Sequence, residues 1–313
     1  MHTRGITAAL VLAPAILVLF VGKAGAVSSP APKLGDSPPE SAEGWLQRAI
    51  DAQGATGLAG KIQDLTGRFE AVDRRNDGRI EGETVQRYQR DPDGTARFFS
   101  TIEDSSLRRK TRKGFDGRTY WIDAEKSGAR ELRGRDDDVD KRLIDRDIDR
   151  VEMLLDLYFL DNLRGEGVEL SLLEDHPQAV PGSVGILRRA RDKPPAILFI
   201  DRETALLRRA LILPSSRMPV SSEGSHQGSD GSATGRPATL PAPTDRFDFF
   251  SKGGAPIRCA DVHVGGKREE RIFVPREIFH YEASSDRPVL ELWMNELRIN
   301  EGLDPKVFAM PAP

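Results

Sequence analysis

The sequence predicts an α+β fold in which strands form one antiparallel sheet and a helix covers one of its faces. Short segments with alternating, β-branched or aromatic residues follow one another with tight turns between them. These connections leave no room for the helical crossovers that a parallel sheet needs. A long amphipathic segment lies between two such groups of strands, where it can pack on a curved sheet.

Composition excludes several functional classes. The 313 residues carry 46 basic and 49 acidic side chains, a formal charge of −3, which argues against a nucleic-acid binder. The single cysteine, Cys259, excludes an intramolecular disulfide framework and a cysteine-based metal cage. No two of the five histidines lie at a short ligand spacing. We therefore expect no metal and no cofactor. His263 and His280 could lie close together on neighbouring strands as a metal-binding pair, but we interpret them as surface residues.

The first residues have the pattern of a secretory signal. Residues 6–21 are uncharged, and a small-x-small sequence, Ala24-Gly25-Ala26, follows them. The run is shorter than the roughly 20 residues of a membrane-spanning helix. The pattern predicts a signal peptide over residues 1–26, with an uncleaved inner-membrane anchor as the alternative. Residues 27–40, rich in Ser, Pro and Ala, are predicted to be a disordered linker.

The first predicted helix begins at Ser37 or Ser41, both of which suit an N-cap. Its apolar residues from Trp45 to Ile50 lie on one helical face, and Gly54 ends it. Strands are then predicted at Lys61–Asp73, Glu81–Arg90, Thr95–Glu103, Leu107–Phe115 and Arg118–Asp123.

The second predicted helix begins at the acidic run 136–138, which suits the positive end of a helix dipole. Ile144, Ile148 and Leu155 recur on one face, and the helix is predicted to end at Arg164 and Gly165. Further strands are predicted at Val168–Leu173, Val184–Arg191, Ala196–Ile200, Ala205–Leu213, Arg246–Phe250, Ile257–Val264, Glu270–Val274, Ile278–Glu282 and Val289–Ile299.

Residues 214–244 interrupt the strands. Ser, Gly and Pro fill 16 of the 30 positions from Pro214 to Pro243. The remaining apolar residues are too few to offset the entropy that is lost on ordering. We predict a disordered insertion within one domain that spans residues 41–311.

Catalytic motifs are absent from the sequence. It contains no Gly-x-Ser-x-Gly elbow and no glycine-rich phosphate loop. The acidic run 136–138 is better explained by helix capping than by calcium binding. The basic clusters around residues 108–113, 188–191 and 208–209 are interpreted as the solvated side of strands, with a surface for anionic head groups as the alternative. The sequence therefore predicts a protein that is not an enzyme.

Three segments resemble the LolA-like superfamily of periplasmic lipoprotein carriers. They are Gly57-Leu58-Ala59-Gly60 before the first strand, the hairpin Asp116-Gly117-Arg118-Thr119-Tyr120-Trp121, and the ending from Asn300 through Asp304-Pro305-Lys306-Val307-Phe308 to Pro311. The resemblance implies an open, incomplete β-barrel with helices covering its mouth. It also implies a hollow that holds the acyl chains of lipids or lipoproteins.

Aromatic residues of the predicted strands are the candidates for lining such a hollow, although plain core packing explains them equally well. Phe98 and Phe99 must face opposite sides of their strand, so only one of them can line it. The candidates for the cavity are Phe98, Tyr120, Trp121, Phe199 and Trp293, and those for a lid on the second helix are Leu155 and Phe159.

These observations lead to three functional hypotheses. The first is an exported, periplasmic, monomeric protein that binds an acyl chain, a lipid or a lipoprotein without catalysis. The second is an envelope sensor or scaffold that uses the same fold to bind a protein partner through a sheet edge. The third is a secreted hydrolase, which would require a buried arrangement of serine, histidine and acid.

Overall fold

The computed structural model describes residues 39–54, 56–74, 80–105, 109–125, 127–191, 193–215, 240–249, 259–282 and 285–311. The predicted signal peptide and most of the predicted linker lie outside these residues. So do residues 216–239 of the predicted insertion.

One sheet of fifteen strands forms the framework of the described residues. The strands are β1 (Asp64–Asp73), β2 (Ile80–Arg90), β3 (Ala96–Asp104), β4 (Arg109–Phe115), β5 (Tyr120–Ala124), β6 (Gly128–Glu131), β7 (Glu169–Leu173), β8 (Ser183–Arg189), β9 (Ala196–Asp201), β10 (Leu207–Ile212), β11 (Asp245–Asp248), β12 (Asp261–Val264), β13 (Lys267–Arg268), β14 (Glu277–Glu282) and β15 (Leu290–Ile299).

The sheet is curved and does not close. Its order is β6-β5-β4-β3-β2-β1-β15-β14-β11-β10-β9-β8-β7, so β6 and β7 are the two edges. Every pair in this path is antiparallel, which confirms the predicted fold class. Off the path, β12 pairs in parallel with the second half of β15, where β14 has ended. The strand pattern alone did not indicate this parallel pair.

Three predictions for the strands differ from the structure. Strands β6 and β13 were not predicted, because they are short and polar. The predicted strand Glu270–Val274 is wrong. Its backbone groups form hydrogen bonds outside a strand ladder, since the amide of Phe273 donates to the carbonyl of Gln53 and the carbonyl of Val274 accepts from the amide of Ala260. This segment therefore connects the first helix to the region before β12.

Helix α1 spans Ala42–Gln53 and begins as one of the two predicted starts requires. The hydroxyl of Ser41 accepts a hydrogen bond from the amide of Gly44 at 3.0 Å. Gly54 ends the helix with φ +67, a left-handed conformation. A β-carbon at Gly54 would also collide with the carbonyl oxygen of Arg271, so both conformation and space require glycine here.

Helix α2 spans Asp138–Tyr158 and ends nearly two turns before the predicted stop at Arg164. Residues Leu160–Leu163 continue as a 3-10 turn instead. The side chain of Gln53 fills the break, because its amide group donates to the carbonyl of Leu157 and accepts from the backbone of Leu160, each at 3.4 Å. The end of α1 thus fixes the end of α2.

The two helices pack on one face of the sheet, which we call the inner face. Leu65, Phe98, Leu198 and Leu292 of four different strands join both helices in one buried cluster. Residues of alternate parity lie on the opposite, outer face. There, Phe99, Trp121 and Phe308 form one cluster, and residues of β8, β9 and β10 form another. The helices thus cover the open side of the half-barrel.

Candidate ligand pocket

A cavity of about 810 Å³ lies between the second half of α2 and the inner face of the sheet. Residues of β2, β8, β9, β10 and β11 line it, together with the turn after α2 and the segment between β8 and β9. We call this cavity the α2 pocket. It lies at the half of the sheet where β8 to β11 meet the helix, and not at the aromatic strands β3 to β5.

One side of the α2 pocket is apolar. Leu155, Leu163, Ala196 and Ile212 line it, and all four belong to the buried cluster that joins the helices to the sheet. Met153 adds a half-buried, flexible side chain. The pocket wall is therefore continuous with the hydrophobic core, and a chain bound there would contact packed aliphatic side chains.

A hydrogen-bonded bridge closes the β2 side of the pocket. The phenol of Tyr88 donates to Glu152 Oε1 at 2.5 Å, and Arg90 Nη2 donates to the same oxygen at 2.6 Å. Arg90 Nε also donates to the Tyr88 hydroxyl at 3.0 Å. Burial, reinforced by Glu152, raises the pKa of Tyr88, so the phenol keeps its proton. Glu152 thus tethers α2 to β2 through Oε1.

Further charges line the same part of α2. Lys193, in the segment between β8 and β9, forms an ion pair with Asp156. Asp149 lies one turn before Glu152 on the helix. Burial raises the pKa of Asp149, and the neighbouring carboxylates Glu152 and Asp145 add to the effect. The helix therefore presents an acidic rim to the pocket, part of which is neutralised by cations of the sheet.

Arg188 on β8 is the most buried cation of the pocket lining, with 3% of its surface exposed. Among the described residues, Arg188 Nη1 donates a long hydrogen bond to the carbonyl of Pro194 at 3.4 Å, and Nε has no hydrogen-bond partner. Burial lowers the pKa of Arg188, and the charge of Asp156 opposes this shift. A guanidinium has five N–H donors, and the one on Nε is both buried and unpaired among the described residues.

A histidine–carboxylate pair lies where β11 meets β14. His280 Nε2 is 2.8 Å from Asp245 Oδ1, and Asp245 lines the α2 pocket. Burial lowers the pKa of His280, and Arg150 lowers it further, although Asp245 opposes both effects. Neutral His280 therefore donates from Nε2 to the carboxylate. Only 4% of His280 is exposed, so its prediction as a surface residue is wrong.

This pair continues into buried charges under α2. Arg150 Nη1 lies 2.9 Å from Asp147 Oδ1, and Lys113 of β4 forms a second ion pair with Asp147. Arg150 and Asp147 are 6% and 5% exposed. Polar contacts therefore hold the middle of α2 to the sheet.

Four of the sequence-based candidates lie on the inner face. Phe98 and Phe159 are fully buried in the core, and Tyr120 packs at its edge with its hydroxyl donating to Asp145 at 2.7 Å. Leu155 alone among the seven candidates lines the α2 pocket. Phe98, Tyr120 and Phe159 thus pack in or against the core and do not line the α2 pocket.

The other three candidates lie on the outer face. Trp121 packs with Phe99 and Phe308, whereas its neighbour Tyr120 packs on the inner side. Phe199 belongs to the outer cluster of β8 to β10. Trp293 is half-buried and lies 6.4 Å from Phe279 in an edge-to-face arrangement. Because side chains alternate between the two faces of a sheet, the sequence predicted which residues share a face, but it did not predict which face the helices would cover.

Sequence reasoning did not identify Arg188 as a site residue. It lies in a basic cluster that was interpreted as the solvated side of a strand, and for Arg188 this interpretation is wrong. A signal was present, because Val184, Ile186 and Arg188 share one parity and the two aliphatic residues are buried. Arg209 is also more than four-fifths buried and pairs with Asp248.

A second cavity, of about 480 Å³, lies between α1 and the start of β7. Its lining includes Glu43, Leu46, Arg164 and Leu170. Gly165, with φ +140, shapes the loop at its rim. This cavity has fewer apolar lining residues than the α2 pocket. Among the described residues, no buried group without a hydrogen-bond partner lines it.

Within the described residues, no group of three His, Cys, Asp or Glu side chains is arranged to hold a metal ion. The same part of the chain has no helix that is both long and apolar enough to cross a membrane. The acidic run before α2 serves the backbone, since Asp137 Oδ2 accepts from the amides of Arg133 and Gly134, both at 3.0 Å.

No family model matches the chain, and no curated protein matches it. Solved structures are similar to it. A DUF1329 family protein from Desulfovibrio piger has a TM-score of 0.41 at 11% identity, over 86% of this chain and 97% of that one. An outer-membrane lipoprotein-sorting protein domain from Vibrio parahaemolyticus has a TM-score of 0.41 at 9% identity, over 85% and 97%.

A LolA superfamily protein from Nitrosomonas europaea has a TM-score of 0.38 at 11% identity, over 87% of this chain and 98% of that one. The family that the sequence motifs resemble is thus among the similar structures. All three TM-scores lie below 0.5, so the similarities say nothing about ligand or activity.

Proposed function

We propose that this protein is an exported, non-catalytic binding protein that holds the acyl chain of a lipid or lipoprotein in the α2 pocket. The α2 pocket itself carries the proposal. Its volume, about 810 Å³, falls within the range of roughly 300–1,000 Å³ that is typical of small-molecule sites. Its apolar wall is part of the hydrophobic core, which keeps the site preformed.

The driving force would be burial of methylene groups against this wall. Each buried methylene contributes about 0.8 kcal/mol, so a chain of several carbons gives useful affinity without any polar contact. Charged residues at the rim are already paired, Glu152 with Arg90 of β2 and Lys193 with Asp156 of α2. They leave the apolar wall accessible to the chain of a ligand.

The hydrolase hypothesis is the weakest of the three. His280 and Asp245 have the spacing of a catalytic pair, but a triad needs a nucleophile on the other ring nitrogen. His280 Nδ1 has no hydrogen-bond partner among the described residues, and its side chain is 5% exposed. This pair therefore supports a structural role better than a catalytic one.

Native mass spectrometry with lipid extraction tests the proposal. The protein is purified from the periplasm of the expression host, and its mass is compared before and after delipidation. A co-purifying acyl lipid supports the proposal and identifies the ligand class. A ligand-free mass that stays unchanged after incubation with phospholipids and diacylated lipopeptides contradicts it.

A protein partner at the sheet edge is the second candidate function, and β7 favours it. This edge strand pairs along one side with β8, and its Leu172 is 38% exposed. An apolar edge strand is suited to pairing with an added strand of another chain. A ligand-free mass combined with crosslinks from β7 to an envelope protein, lost in Leu172→Lys, would favour this function.

A further inference from the structure

Arg188 is a buried charged residue in the lining of the α2 pocket, and a pocket for an apolar chain alone would not need it. It lies on the inner face of β8, in the same parity as Val184 and Ile186. Its side chain lines the α2 pocket with 3% of the residue exposed. Burial of a charged group without full hydrogen bonding costs free energy, so an arginine here is not explained by packing.

The hydrogen bonds of Arg188 leave it incompletely satisfied. Nη1 reaches the carbonyl of Pro194 at 3.4 Å, near the limit for a hydrogen bond, and Nε has no partner. By contrast, Arg90 in the same lining makes bonds of 2.6 and 3.0 Å. The two arginines therefore differ: one completes a bridge, and the other has donors available for a ligand.

The local charge balance points in the same direction. Asp156 is the one carboxylate whose charge acts on the pKa of Arg188 among the described residues. That carboxylate is already paired with Lys193. Two cations therefore share one anion at this end of the pocket. Glu152 does not compensate, because Tyr88 and Arg90 hold it.

We propose that Arg188 binds the anionic oxygens of an amphiphile whose acyl chain lies along the apolar wall of the α2 pocket. A carboxylate or a phosphate monoester matches the fork of a guanidinium, which binds such groups through two parallel hydrogen bonds. Ala196 and Ile212, on the strands that follow β8, supply apolar surface from the same wall. The ligand class is thus a long-chain carboxylate or alkyl phosphate.

This inference rests on the proposed function, and calorimetric titration separates the two. Three probes share a twelve-carbon chain: dodecanoate, dodecyl phosphate and dodecan-1-ol, each below its micelle concentration. Inorganic phosphate is the probe without a chain. In the unmodified protein, we expect the two anions to bind at least about tenfold more tightly than the alcohol. Inorganic phosphate alone should bind more weakly than either anion.

Two matched variants locate the effect. Arg188→Met should bring the preference for the anions below about twofold while leaving the affinity for dodecan-1-ol unchanged. Arg189→Met, which changes the next residue of β8 on the outer face, should keep the preference. Arg188→Lys keeps the charge without the fork and should give an intermediate preference.

The melting temperature distinguishes a ligand-binding role of Arg188 from a structural one. Because Arg188 is incompletely paired, the melting temperature of ligand-free Arg188→Met should be equal to or above that of the unmodified protein. A large fall would assign Arg188 to holding the Pro194 segment and overturn the inference. If Arg188→Met does not fold, the inference is overturned for the same reason.

The remaining outcomes separate the two proposals. Equal affinity of the unmodified protein for dodecanoate and dodecan-1-ol overturns the anionic selectivity and leaves the acyl-chain function standing. Tight binding of inorganic phosphate, equal to that of dodecyl phosphate, assigns Arg188 to a free oxyanion and overturns the amphiphile. Absence of binding by all three chain probes overturns the proposed function itself.

Discussion

The indole nitrogen of Trp121 donates a hydrogen bond to the carbonyl oxygen of Phe308 at 2.8 Å, linking β5 to the C-terminal segment. Both residues are fully buried on the outer face of the sheet. Gly114 lies under the indole ring, and a β-carbon there would approach it to 2.7 Å. Trp121 therefore holds the C-terminal segment around Phe308 against the outer face of the sheet.

Trp121→Phe should destabilise the protein by about 2–4 kcal/mol, because it leaves a buried carbonyl unpaired and opens a cavity. Trp293→Phe is the matched control. It is half-buried and should cost less than about 1 kcal/mol. Urea denaturation measures both. Equal losses for the two variants would contradict the role of the Trp121–Phe308 bond.

Filling the α2 pocket should weaken binding without unfolding the protein. Met153→Trp places a larger side chain at a half-buried lining position and should lower the affinity for dodecan-1-ol at least about tenfold, equivalent to losing about two methylene contacts. Calorimetric titration measures the change. Val139→Trp on the same helix, at a residue that is 61% exposed, should leave the affinity unchanged. A loss of the same size in both variants would place the site elsewhere.

His280 should make stability depend on pH. Burial lowers its pKa, so the unfolded chain takes up a proton at a pH where folded His280 is still neutral. The stability that neutral His280 contributes is therefore present above a pH of about 6.5 and is lost as the pH falls. Between pH 7 and pH 5, we expect the free energy of unfolding to fall more for the unmodified protein than for His280→Gln.

Urea denaturation at pH 7, 6 and 5 checks this difference, which is at most about 1.4 kcal/mol per pH unit for one proton. His263→Gln is the control, because His263 lies on the peripheral strand β12 outside the buried pair. The same pH dependence in His280→Gln and in the unmodified protein would contradict the assignment of the effect to His280.

Asn300 should be sensitive to both conformation and hydrogen bonding. It has φ +54, accepts from the amide of Gln63 at 2.8 Å and donates to the carbonyl of Lys61 at 2.9 Å. Asn300→Ala adds left-handed strain to the lost bonds and should cost about 2–4 kcal/mol. Asn300→Gly keeps the conformation accessible and should cost about 1 kcal/mol less. Thermal denaturation ranks the two, and a greater loss for glycine would contradict the strain.

Much of the sheet follows from local pattern. Alternation identified the strands β1 to β5, and turn residues such as Gly94 and Gly117, both with positive φ, marked connections between them. The prediction of a strand at Glu270–Val274 was wrong because the backbone of this segment forms a hydrogen bond with the end of α1. The helix stop was misplaced for a related reason, since Gln53 of α1 bonds the backbone where α2 ends.

The candidate site was less accessible to sequence reasoning. Leu155 was the one candidate that lines the α2 pocket, because the apolar stripe of a helix fixes which of its faces is covered. For Trp121, Phe199 and Trp293, alternation gave two faces but not the side on which the helices would pack. Only the position of α2 over β8 to β11 brings Arg188 and Ile212 into one cavity.

Photocrosslinking with a fatty acid that carries a diazirine at the end of its chain tests the central claim most directly. After irradiation, peptide mapping reports which residues touch the chain. The account predicts labelling of α2 around Met153 and Leu155 and of β10 around Ile212, with loss of the label in Met153→Trp. Labelling on the outer face around Trp293, in the cavity beside α1, or nowhere would contradict it.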